Sequence, residues 1–291
     1  MPYLLRRTGN GMPSELLSPK NDYVFKRLFG VQSRINPLRD FLQSVLDLPE
    51  EEFESLTVVD PYQAGDYFGD KAGILDVKIN TRSKKVIDVE IQVEPFPDLG
   101  SRILSYNARM ITEQIKAGDQ YAKIQQAMSI VIVDHPLYEG VEEYHQRFRL
   151  RNDSGQLIFS DKLEIHTLEL PKVPSKTDDS KLYQWLSFIR AKTEGEFKML
   201  AEKNTAIAEA YDVLLELSSD ERERLLAESR EKWRRDVEAR LADAMTKGLE
   251  KGLEKAAQNL LHKGGMSHAE IAALTDLPVE TIKRLAAESA T

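Results

Sequence analysis

Asp76 and Glu90 stand in two short stretches, 73–79 and 86–93, that read as neighbouring strands. Residues 80–85 between them have the turn-rich composition of a chain reversal. A reversal centred on Ser83 sets Asp76 opposite Glu90 and Lys78 opposite Asp88, and directly opposed side chains of an antiparallel pair share a face. Alternation puts Asp88, Glu90, Gln92 and Glu94 on that face and Ile87, Val89, Ile91 and Val93 on the other. Two carboxylates and an amide on one patch are hard oxygen donors of the kind that suits Mg²⁺. The same alternation also describes a hairpin with one face in water. Opposed carboxylates repel unless a cation compensates them, which favours the metal reading.

The elements around the hairpin put it inside an α/β core. Asn21 or Asp22 caps a first helix with Val24, Phe25, Leu28 and Phe29 on one face, and a second run, 37–46, carries Leu38, Phe41, Leu42 and Val45 until Pro49 stops it. Residues 57–62 read as a strand ahead of the hairpin. Asp98 or Ser101 opens a helix to about 117 that buries Ile103, Met110, Ile111 and Ile115 and ends at Gly118. Residues 127–134 are apolar without alternation, as in a central strand covered on both faces. The order is helix, three strands, helix, strand. Arg102, Tyr106, Arg109 and Glu113 recur on one face of the later helix; such a face either grips phosphate oxygens beside a metal site or is simply solvated. Arg102 and Tyr106 are the candidates for phosphate contact.

Strands at 144–151, 156–159 and 163–170 follow, with a hairpin turn at 152–155, and then a polar linker at 171–180. Beyond 181 the pattern is helical, with long charge-laced helices at 196–217 and 220–259. Gly248 and Gly252 each cost about 1 kcal/mol of helix stability and mark a soft joint. Residues 264–285 read as two short helices joined at 275–278, a helix-turn-helix-like pair. From 260 to 291 there are three Lys/Arg against four Asp/Glu, a balance that favours helix–helix association over DNA reading. The expected division is a disordered 1–17, a core with a β extension at 18–172, a helical region at 181–260 and a small module at 261–291.

The net charge of −8 over 291 residues means that any DNA contact comes from a local basic patch. With no cysteine there are no disulfides, thiolate zinc sites or cysteine nucleophiles, and the chain suits a reducing cytoplasm. The longest apolar run, 128–133, is far short of a membrane span, and the N-terminus lacks the apolar stretch of a secretion signal. A soluble cytoplasmic protein with no membrane partner is expected. Of His135, His145, His166, His262 and His268, none has ligand spacing with another, and His166 reads as structural.

An ordered series of stretches carries a family likeness: 21–29, 70–76, 87–92, the helix with Arg102, Tyr106 and Gln114, then 118–121 and 163–171. Over about 18–236 the chain resembles the Rpn family of recombination-promoting nucleases and transposases, within the PD-(D/E)xK nuclease superfamily. The resemblance implies a restriction-endonuclease-like αβββαβ core with an added β-hairpin region, followed by an all-α C-terminal tail. It also implies metal-dependent endonuclease cleavage of DNA in recombination, mobile-element biology or phage defence. On that template Asp76 and Glu90 hold Mg²⁺, with Mn²⁺ as a substitute, and Gln92 takes the place of the superfamily's lysine. An amide orients a water or ligates a metal but carries no positive charge, so Lys78 and Lys71 are candidates to supply it. Asp22 is either an additional acid near the metal or a helix cap. DNA is the implied partner, and a homo-oligomer through the C-terminal helices a further expectation. The missing lysine motivates a rival reading, a non-catalytic nuclease fold that binds DNA or a protein partner through its helical tail.

Overall fold

The β-hairpin forms in the register that the Ser83 reversal predicts. In the computed structural model, which describes residues 15–59, 77–95, 98–175 and 178–289, β2 (Val77–Asn80) and β3 (Val86–Gln92) are antiparallel, with Val77 opposite Val89 and Lys78 opposite Asp88. Lys84 takes the left-handed conformation in the turn, with φ of 67°. Asp76 and Lys71 lie outside the described residues. The turn is latched from a short helix, α3 (Glu50–Phe53). The Glu52 carboxylate accepts from Thr81 Oγ1 at 2.7 Å, Ser83 Oγ at 2.7 Å and Lys85 Nζ at 2.5 Å.

One mixed sheet of six strands organises the chain, in the order β1-β2-β3-β4-β6-β5. β1 (Thr57–Val59) extends the antiparallel side, β4 (Ala127–Val133) and β6 (Ile158–Glu169) run parallel to β3, and β5 (His145–Arg151) closes the far edge against β6. The parallel step from β3 to β4 needs a crossover, and α4 (Leu99–Thr112) supplies it. Ile87, Val89 and Ile91 share one apolar cluster with Met128, Ile130 and Ile132 and with α1 (Asp22–Phe29) and α2 (Ile35–Val45). Leu99, Ile103 and Tyr106 of α4 pack with Val131 and Val133 in a second cluster. The alternation of β3 and β4 therefore sorts their side chains between two helical layers, and neither face of the hairpin's second strand is in water. This is the α/β architecture expected, with a helical C-terminal region after it.

Several boundaries differ from the sequence reading for local reasons. α4 stops at Thr112 rather than near 117. Gln114 instead bonds the segment entering β4, its Nε2 donating to Gln125 O at 3.2 Å and its Oε1 accepting from Gln125 N at 2.7 Å. The two strands expected at 156–159 and 163–170 are one, β6, with the intervening residues absorbed by register shifts against β5 near Arg149 and Leu150. The helix expected at 196–217 is two, α6 (Glu194–Lys203) and α7 (Thr205–Ser219). Asn204 ends the first and caps the second, accepting from Ala206 N and Ile207 N, while its Nδ2 donates to Asp40. Those helices and α5 (Lys181–Arg190) belong to the same apolar cluster as α1 and α2, so the core reaches well past residue 172. Of the stretch 1–17, residues 15–17 are described, and Leu16 and Leu17 pack against that cluster.

The chain divides into two compact units, one ending at Arg230 and one beginning at Glu231. α8 (Glu221–Lys263) continues through Gly248 and Gly252 without a break, because two glycines cost little against the propagation of a helix of 43 residues. In the second unit, α9 (His268–Thr275) and α10 (Val279–Ser289) join the end of α8 around Ala257, Ile271, Ala272, Ile282 and Leu285. Ser267 and Glu270 form a capping box at the start of α9.

Candidate functional site

Asp88, Glu90 and Gln92 occupy the β3 face that α4 covers. Asp88 is 0% exposed and Glu90 3%, so the hairpin with one wet face is set aside. Buried carboxylates need compensation, and for Glu90 the cation is Arg102 from the first turn of α4. Arg102 Nη2 pairs with Glu90 Oε1, Nη1 donates to Gln92 Oε1 at 3.3 Å, and Nε donates to the Tyr106 hydroxyl at 2.8 Å. Tyr106 lies one helical turn from Arg102 and is itself buried. Burial pushes its phenol pKa up, Glu90 and Asp88 push the same way, and the Arg102 bond only partly offsets them. Between Asp88 and α4, Asn107 Nδ2 donates to Ser129 Oγ at 2.7 Å, and Ser129 is the parallel-register neighbour of Asp88.

The rest of that helix face reaches toward β2 and stays partly exposed. Lys78, opposite Asp88 as expected, donates to Glu113 Oε2 at 2.8 Å, and Arg109 donates to the other oxygen of the same carboxylate at 2.7 Å. Burial would raise the Glu113 pKa, but Lys78 and Arg109 outweigh it and hold the group below its ordinary value. Of the four residues placed on one face of this helix, Arg102 reaches the acidic strand directly, Tyr106 anchors it, and Glu113 holds both Lys78 and Arg109. Asp22 sits in the first turn of α1, where it accepts from Tyr23 N at 2.8 Å and pairs with Arg230 at 2.9 Å. The cap of that helix is Asn21.

A second polar cluster escaped the sequence reading. His145 Nε2 lies 2.8 Å from His166 Nδ1, and His166 Nε2 lies 2.7 Å from Glu164 Oε1. Arg147 and Arg149 close around the same carboxylate at 2.8 and 2.9 Å. The two histidines have no ligand spacing in sequence, yet antiparallel pairing of β5 with β6 stacks their rings. An ionised Glu164 requires the proton on His166 Nε2, which leaves Nδ1 to accept from His145. Burial, and then the neighbouring His166 ring, push the His145 pKa down to about 4. The signal available in sequence was the alternation of charged residues along both strands. This cluster lies on the sheet face opposite Glu90, since Glu164 and His166 pair with Met128 and Ile130.

The donor chemistry at β3 fits a hard divalent cation: the Glu90 carboxylate and the Gln92 carbonyl oxygen already converge on one cationic group, the Arg102 guanidinium. Among the described residues no three His, Asp or Glu side chains form a ready metal cluster. No described helix is long and apolar enough to cross a membrane. No curated protein and no solved structure matches the chain. A model of the PD-(D/E)XK nuclease family transposases matches residues 19–244, from the start of α1 into α8. That span takes in the whole sheet and the covered acidic strand, and with well over half of its length matched, this chain belongs to the PD-(D/E)XK nuclease family transposases.

Proposed function

We propose that the chain is a divalent-metal-dependent DNA endonuclease whose site is built on Asp76, Glu90 and Gln92. The observation that carries this reading is the buried acidic face of β3, where Glu90 and Gln92 direct oxygens at a single cation. Support for Asp76 comes from the hairpin register, which the Ser83 reversal predicted and the pairs from Val77–Val89 to Asn80–Val86 obey. Glu90 and Asp76 would hold Mg²⁺ or Mn²⁺, with the Gln92 amide orienting a ligand or a water. A cation bound there lowers the pKa of a coordinated water and neutralises charge on the phosphate. Burial of β3 under α4 excludes bulk water and strengthens every charge interaction at the site. The family description makes DNA of recombination or mobile elements the setting we propose.

Nicking of supercoiled plasmid with Mg²⁺, Mn²⁺ or a chelator tests the reading. Asp76→Asn and Glu90→Gln should each abolish metal-dependent nicking while leaving the unfolding midpoint close to that of the wild type. Cleavage by either variant at the wild-type rate refutes the site.

A further inference from the structure

The oxygens of Glu90 and Gln92 meet a guanidinium where the reading above calls for a metal ion. We propose that Arg102 is a displaceable cation. It neutralises Glu90 while no metal is bound, gives up that carboxylate to a divalent ion, and then offers a scissile phosphate the positive charge that Gln92 lacks. The inference rests on the metal-site reading of Glu90 and Gln92.

The geometry separates the anchor of Arg102 from its working end. Nε is held by the Tyr106 hydroxyl at 2.8 Å, with the guanidinium carbon 5.4 Å from the centre of the Tyr106 ring. Nη1 and Nη2 make the contacts to Gln92 and Glu90. Releasing the carboxylate therefore leaves the side chain tethered to its own helix through Nε and Tyr106. The two ends also differ in exposure: the Arg102 side chain is 26% exposed, whereas the Glu90 side chain is 4% exposed. Arg102 has a way out toward solvent and the acid does not. A doubly charged hard cation competes well for the same oxygens. Lys78 is a poorer candidate for the role, because it is committed to Glu113 at 2.8 Å.

The test is calorimetric titration of the full chain with MnCl₂ alone, for the wild type, Arg102→Gln, Arg102→Lys and Tyr106→Phe. Removing the competitor should tighten Mn²⁺ binding on the order of tenfold in Arg102→Gln, the factor that corresponds to ~1.4 kcal/mol. Arg102→Lys restores a competing charge and should bind near the wild-type affinity. Tyr106→Phe loosens the parked guanidinium without exposing Glu90, and should tighten binding severalfold even if Arg102→Gln does not fold. Thermal unfolding gives a second readout: without metal Arg102→Gln should melt below the wild type, and Mn²⁺ should raise its midpoint more. If the wild type binds Mn²⁺ and the folded variants bind it no more tightly, the displaceable cation is refuted and the metal site stands. If neither wild type nor variants bind Mn²⁺, both fall.

Discussion

Glu52→Gln isolates the latch that holds the β2–β3 hairpin and with it the acidic strand. The substitution keeps the size of the side chain and removes its charge. In the native chain the carboxylate accepts from Lys85, Ser83 and Thr81, and also from Ser83 N at 3.2 Å. Burial would raise its pKa; these donors override burial and bring it down from 4.5 to about 2. That gap of about 2.5 units corresponds to a ceiling of about 3.5 kcal/mol at about 1.4 kcal/mol per unit. The side chain of Lys85 is 20% exposed, so screening lowers the expected contribution to about 2 kcal/mol.

Because the folded-state pKa lies below the unfolded one, the stabilisation is complete above about pH 4.5 and fades as the pH falls toward 2. Urea unfolding followed by Trp185 fluorescence, in a Trp233→Phe background that silences the other tryptophan, measures it. Glu52→Gln should cost about 2 kcal/mol at pH 7 and less than about 1 kcal/mol at pH 3. A cost at pH 7 below about 0.5 kcal/mol, within the range of an ordinary surface change, refutes the latch. An equal cost at both pH values refutes its ionic origin.

Two other outcomes follow from the same reasoning. His145 is kept neutral by burial and by His166, with its pKa pushed down to about 4, so its stabilisation is whole above the ordinary 6.5 and is lost as the pH falls toward 4; in His145→Gln the unfolding midpoint should fall less steeply between pH 6.5 and 4.5, and an unchanged slope counts against the buried pair. A chain ending at Arg230 should give the same Trp185-reported midpoint as the full chain, since the first compact unit ends there, and a clear drop would show that residues 231–291 support it.

What the sequence made legible was short-range and periodic. The hairpin register follows from a period of two and a turn centred on Ser83, and the helix–strand order follows from apolar spacing. Less legible were contacts between distant segments. Asn204 sits in a helical pattern, and its bond to Asp40, 164 positions away, gives no local sign that it will break the helix. His145 and His166 look unrelated until the antiparallel β5–β6 pairing stacks their rings, and that pairing accommodates a register shift no propensity scale signals. Spacing puts Arg102 on a helix face after the acidic strand, but it does not show that Glu90 is the group it meets. Whether such a face grips a phosphate or a carboxylate depends on how closely α4 packs over β3, a matter of side-chain volume at Val131, Val133 and Ile103.

That packing also bears on why Gln92 is compatible with the proposed chemistry. A lysine at position 92 would be fixed to the strand that carries Glu90 and would share its face permanently. Here the positive charge comes instead from α4, on a long side chain held through Nε by Tyr106 and through its Nη groups by Gln92 and Glu90. The buried strand face is neutralised in either arrangement, which burial of Glu90 demands. Only the second arrangement lets the neutralising charge withdraw when another cation arrives. The departure at position 92 and the position of Arg102 are then two sides of one electrostatic solution, in which the strand loses a fixed charge and the helix above it supplies a movable one.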